Sequence, residues 1–156
     1  MDPYEDVLES VSARDRFRIA FESLEWSLAT TESGPIEDAG SREFIDRTLG
    51  RVRSALQQGL TLAPADNSLL NELTVQQQNA YEDGVVGIVL ALGLCFDELG
   101  DQITPDRTLE VLSQCYEFES IRTRPDPIVT EEFERGSARL RDVIDFQQAL
   151  IGRFAS

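Results

Sequence analysis

Apolar side chains recur every three or four positions along most of the chain, and no stretch alternates strictly between apolar and polar over a strand's length. The spacing predicts helices throughout. After a short segment over 3–10, residues 13–28 place Phe17, Ala20, Phe21, Leu24 and Leu28 on one face. Thr30, Ser33, Gly34 and Pro35 close that helix. Ser41 is the expected N-cap of the next one, whose apolar stripe is Ile45, Leu49, Val52 and Leu56 and whose end is Gly59. Residues 60–65, with Pro64, read as a linker, after which Asp66 or Ser68 starts a short helix carrying Leu69, Leu70 and Leu73.

Residues 76–99 read as one long helix, apolar on every side over 85–96, as expected of an element buried at the centre of a domain. Gly84, Gly87, Ala91 and Cys95 recur along it three or four residues apart and form a smooth stripe. Two glycines inside a helix cost about 1 kcal/mol each relative to alanine, and close approach of a second helix is the expected compensation. Thr104-Pro105-Asp106 announces another helix, with threonine as cap and proline in the first turn; Leu109, Leu112, Tyr116 and Ile121 are its expected inward residues. Arg124-Pro125-Asp126-Pro127 breaks it. Thr130 is then expected to cap a last helix with Phe133, Leu140, Ile144 and Ile151 near one face. The expected fold is all-α: a single domain over 1–156, built as a bundle of five or six helices around a buried apolar central helix.

Composition leaves this picture intact, since 41% hydrophobic and 28% charged residues are ordinary for a folded domain. The kind of charge changes it. Lysine and histidine are both absent, so 14 arginines face 29 carboxylates, for a net charge of −15. Without histidine there is no imidazole base, zinc ligand or neutral-pH switch, and without lysine no Schiff base or phosphate-gripping ammonium. A catalytic serine or cysteine lacks its usual activating base, and no G-x-S-x-G elbow occurs. Gly84-Val85-Val86-Gly87 lies within an apolar helix and carries no lysine, so it is no phosphate loop.

Helical di-metal sites need histidines that this chain lacks, and no EF-hand loop is present. No cofactor is expected. Cys95 and Cys115 read as buried free thiols, and two sulfurs without histidine make a poor zinc site. Glu131, Glu132 and Glu134 read as a solvated face at a helix start, with Glu131 one turn from Arg135. The one-turn pairs Arg14/Arg18 and Arg135/Arg139 suit either a carboxylate or phosphate clamp or ordinary surface ion pairs. The start Met1-Asp2-Pro3-Tyr4-Glu5-Asp6 lacks the basic and apolar regions of a signal peptide, and 85–96 is too short to span a bilayer, so a cytoplasmic protein is expected.

The acids are unevenly distributed. From residue 54 to 106 there is no cation, while Asp66, Glu72, Glu82, Asp83, Asp97, Glu98, Asp101 and Asp106 supply eight negative charges. Such a field repels nucleic acid and anionic membranes and speeds association with basic proteins. Asp97, Glu98 and Asp101 stand out, because they fall at the C-terminal end of the expected central helix, where the helix dipole disfavours negative charge. Either an arginine such as Arg107 neutralises them, or they form an acidic docking surface. The candidate partner-binding residues are Glu82, Asp83, Asp97, Glu98, Asp101 and Asp106.

Arg16-Phe17-Arg18-Ile19-Ala20-Phe21, the Ala80-Tyr81 start of the long apolar segment, and Asp126-Pro127-Ile128-Val129-Thr130-Glu131-Glu132-Phe133 together resemble the YjaG-type all-helical bacterial family of unassigned function. That resemblance implies no catalytic residue. In general character, small, acidic and histidine-free, the chain also resembles immunity proteins that neutralise bacterial toxins. The likeness implies a non-enzymatic, stoichiometric inhibitor presenting carboxylates to a basic toxin or enzyme; a monomer or homodimer is expected. The alternatives are a salt-adapted structural or regulatory protein working through an apolar oligomer interface and, third, a carboxylate metal-dependent enzyme.

Overall fold

The computed structural model describes residues 3–31, 34–99, 101–123 and 137–155. Seven α-helices account for most of these residues: α1 (Pro3–Ser10), α2 (Ala13–Thr30), α3 (Ala39–Gln57), α4 (Asn67–Asn79), α5 (Val85–Gly93), α6 (Pro105–Thr123) and α7 (Ala138–Phe154), with a short 3₁₀ turn at Asp97–Leu99. The all-α expectation holds among the described residues, with seven helices where five or six were expected. The expected Thr130 cap, Phe133 and the Arg124–Pro127 break lie outside the described residues.

Five helices start the same way, with a side-chain oxygen accepting from the amide three residues on: Ser12 from Asp15, Asp38 from Ser41, Asp66 from Leu69, Thr104 from Arg107 and Ser137 from Leu140. Ser41 is thus the donor and not the cap of α3, because Asp38, three residues earlier, offers a carboxylate to its N–H. Gly59 follows α3 at φ +79, the left-handed conformation that ends a helix at little cost to glycine.

The segment 76–99 is not one helix. α4 ends at Asn79, α5 spans only Val85–Gly93, and the chain then pairs with the linker before α4: Ala63 N–H donates to Cys95 O and Asp97 N–H to Ala63 O. The part-buried carbonyls just after α5 are satisfied by a side chain, since Arg107 Nη2 donates to Leu94 O (2.7 Å) and Phe96 O (3.2 Å).

α6 takes the central position expected of 76–99. It packs against α1, α2, α5 and α7, burying Val111, Cys115 and Phe118 in the main core and Leu112 in a smaller cluster with Leu8, Val11, Ile19, Leu150 and Ile151. Of its expected inward residues, only Leu112 is fully buried. α5 is buried on one side through Val85, Ile88, Val89, Ala91 and Leu92, while Val86 and Leu90 are 36% and 41% exposed. An all-apolar run does not say which of its faces is covered. The smooth stripe does face a close neighbour, because Gly84 meets Phe118 and Gly87 meets Gln114 on α6.

Candidate functional site

The interval without cations in sequence is not without cations in space. Two of its eight acids pair with α3: Arg47 grips Glu72 through both terminal nitrogens (3.1 and 2.8 Å), and Arg51 Nη2 lies 3.2 Å from Asp66. Glu82 is also committed inside the molecule. Its carboxylate accepts the amides of Glu37 (2.9 Å) and Asp38, and Arg122 Nη1 lies 3.6 Å away. Arg122 in turn donates to Gly34 O (2.9 Å), so Glu82 and Arg122 clasp the α2–α3 loop to the start of α5.

Burial pushes the Glu82 carboxyl up, and the two amides with Arg122 more than offset it, leaving its pKa below the ordinary 4.5. A carboxyl lowered on folding contributes stability that is full above its unfolded pKa and is lost as pH falls through the folded one. Glu82→Gln is expected to cost about 2 kcal/mol at neutral pH, the scale of charge-assisted hydrogen bonds. That difference should shrink as pH drops below 4.5. Urea unfolding of both proteins between neutral pH and pH ~3 checks it, and a pH-independent difference would show that the carboxylate charge is not what matters.

Asp97, Glu98 and Asp101 do not sit at a helix C-terminus. Asp97 and Glu98 open the 3₁₀ turn, where the local dipole favours their sign, and Asp97 Oδ1 accepts from Ala65 N–H at 2.9 Å. Arg107 therefore does not neutralise these acids; its guanidinium caps carbonyls. Asp106 stands beside Glu5 of α1, whose carboxyl is raised chiefly by a hydrogen bond with Asp106 and by that acid's charge. Asp83, Glu98 and Asp101 are exposed, and their carboxylates make no ion pair or hydrogen bond with the described residues.

Apart from Asp106, in the first turn of α6, the candidate acids thus divide between the two ends of α5, a nine-residue helix about 14 Å long. At its start, Asp83 and Glu37 share a shallow hollow of ≈ 210 Å³ with Glu82 and Arg122. At its other end lie Asp97, Glu98 and Asp101. The exposed apolar residues Val86 and Leu90 lie between, and this pairing of apolar surface with acidic ends could not be read from the sequence.

Two other places could hold chemistry. A cleft of ≈ 290 Å³ between α1, α6 and α7 is lined by Leu109, Leu112, Ile144 and Ile151 with Tyr4, Tyr116, Ser113, Gln147 and Gln148, so it carries no charged group. Inside the bundle, Arg139 lies 3.6 Å from Glu119 and 4.7 Å above the ring of Trp26, which stacks on Phe146. Cys115 and Cys95 are free and fully buried, and burial pushes their thiols to about 11 and about 12, so neither is a thiolate at neutral pH. Among the described residues, no group of three or more cysteine, aspartate or glutamate side chains is arranged to hold a metal ion, and no helix is long and apolar enough to cross a membrane.

No family model matches the chain, and the comparisons with curated proteins and with solved structures give no match. The likenesses to the YjaG-type family and to immunity proteins accordingly carry no family assignment.

Proposed function

We propose that this protein is a non-enzymatic binding module that captures a basic protein stoichiometrically through the surface of α4 and α5, in the manner of an inhibitor or immunity protein. One observation carries the reading. Among the described residues, four of the five exposed large apolar side chains, Val75, Tyr81, Val86 and Leu90, lie on the α4–α5 segment, and the uncommitted acids Asp83, Glu98 and Asp101 lie before and after α5. An apolar centre with a charged rim is the usual anatomy of a protein interface, and a rim of one sign selects a partner of the other.

Exposed Val86 and Leu90 also favour the second reading, an interface between copies of this chain. Acids at both ends of α5 oppose it, because either direction of self-pairing brings carboxylates together. Capture from source cells and reconstitution should give a 1:1 complex with a cationic protein whose activity is lost on binding, and whose affinity falls as salt rises. Asp83→Asn, Glu98→Gln and Asp101→Asn combined should weaken it about tenfold or more. Unchanged affinity of that triple variant overturns the proposed surface, and self-association of the free protein at low salt supports the second reading instead.

A further inference from the structure

Resting on that reading, we infer that the partner engages α5 with a single helix, laid along the exposed face of α5 and carrying an apolar pair bracketed on both sides by arginine or lysine. Among the described residues, Val86 and Leu90 leave this face of α5 open. Val86 and Leu90 are one turn apart and exposed at 36% and 41%, so they form a short ridge of the i, i+4 kind that fits between the equivalent rows of another helix. Gly93 continues the ridge without a side chain, and a Cβ built there would meet only a Leu73 methyl, at 4.0 Å.

Charge fixes the rest of the occupant. Asp83 and Glu37 stand at the start of the ridge and Glu98 and Asp101 beyond its end, while three arginines placed at these ends are occupied: Arg122 by Glu82 and two loop carbonyls, Arg107 by Leu94 and Phe96, and Arg51, over the Phe96 ring, by Asp66. Cations on the incoming helix thus meet unpaired carboxylates at both ends, separated by the roughly 14 Å length of α5. Those two contacts and the apolar pair set its register. Cations gathered at one end would satisfy half of the site and leave the other carboxylates facing apolar surface.

The test uses the full chain and two synthetic helical peptides of identical composition. Each carries two leucines one turn apart; in one, arginines flank the leucines on both sides, and in the other all arginines lie on one side. Fluorescence anisotropy at low salt should show the bracketed peptide binding 1:1 and about fivefold or more tighter than the one-sided peptide, with Leu90→Asp reducing the bracketed peptide's affinity about tenfold. Because Leu90 lies on the surface, an unchanged melting temperature certifies that variant as folded.

Equal binding of the two peptides together with indifference to Leu90→Asp overturns the ridge. In that event, loss of both peptides on neutralising Asp83, Glu98 and Asp101 leaves the basic-partner reading standing. Absence of binding by either peptide overturns both.

Discussion

Replacing Arg16 with methionine is expected to destabilise the protein by about 3 kcal/mol, a large share of the 5–15 kcal/mol typical of a domain. Arg16 lies on the first turn of α2 with only 8% of its surface exposed, and no carboxylate lies within ion-pairing distance among the described residues. Its guanidinium is spent on the backbone: Nε donates to Ile103 O at 2.9 Å, and Nη1 to Val11 O at 2.5 Å and Leu8 O at 3.2 Å. One side chain thus ties the end of α1 and the loop before α6 to α2.

Leu8 O keeps a second donor in Val11 N–H, so methionine strands two carbonyls, those of Val11 and Ile103. An unsatisfied buried acceptor costs about 1–3 kcal/mol. The gain from no longer burying a charge, whose desolvation lowers the Arg16 pKa, offsets part of that. Arg16→Lys keeps the charge but not the fork. A single ammonium cannot reproduce the planar geometry that serves three carbonyls from two nitrogens, so lysine is expected to lose about 2 kcal/mol. Denaturant unfolding of both variants decides the matter, and a lysine variant within ~0.5 kcal/mol of the parent would falsify the role given to the fork.

Arg16 is one instance of a wider use. Arg107 caps Leu94 and Phe96, Arg122 holds Gly34 and Pro35, and Arg42 Nη1 donates to Ile36 O at 3.0 Å. In each case a loop or helix end that lacks backbone partners is finished by a guanidinium. This gives a physical account of part of the arginine-only composition, since a multi-donor fork can satisfy several carbonyls that a point charge cannot. The remaining arginines include Arg53, the surface partner of Glu25, which lysine would serve nearly as well.

The helices were legible where local rules decide them. Phe17, Leu24, Ile45 and Val52 fall on buried faces because the 3.6-residue period selects them, and Asp66 and Thr104 cap because their oxygens meet an amide three residues away. The break between α4 and α5 was not legible, since no proline marks it. It depends on Gly84 at φ +82 and on Glu82 reaching amides 44 and 45 residues distant.

The candidate site failed in the same way. Counting charges along the chain finds eight acids without a cation, yet which of them remain free depends on arginines that α3 and α6 bring alongside, and on Ala65, 32 residues from Asp97. Periodicity likewise cannot tell which face of an all-apolar helix is left uncovered, so Val86 and Leu90 emerged only in three dimensions.

Gly84→Ala is expected to be the costliest single-methyl addition among the described residues, at about 3–4 kcal/mol, and a comparison with two other glycines separates its causes. A left-handed backbone costs a non-glycine residue roughly 1–2 kcal/mol, and Gly84 (φ +82) shares that conformation with Gly59 (φ +79). Nothing lies within 4 Å of a Cβ at Gly59, so Gly59→Ala should show the backbone cost alone. At Gly84 the same Cβ would lie 3.0 Å from Cα, Cδ1 and the carbonyl oxygen of Phe118, two of which are backbone atoms of α6 and cannot rotate away. Relieving that contact means separating α5 from the helix at the centre of the core, and overpacking of this kind adds about 1–3 kcal/mol.

Gly87 completes the series. A Cβ there would come 2.4 Å from Gln114 Oε1, the tip of a flexible side chain that can swing aside, and alanine gains about 1 kcal/mol of helix propensity. Gly87→Ala should therefore be close to neutral. Equilibrium unfolding is expected to rank the three as Gly84→Ala worst, Gly59→Ala intermediate and Gly87→Ala mildest. Equal losses at Gly84 and Gly59 would mean that α6 yields to the added methyl, so that the close seat of α5 does not hold its exposed ridge in place.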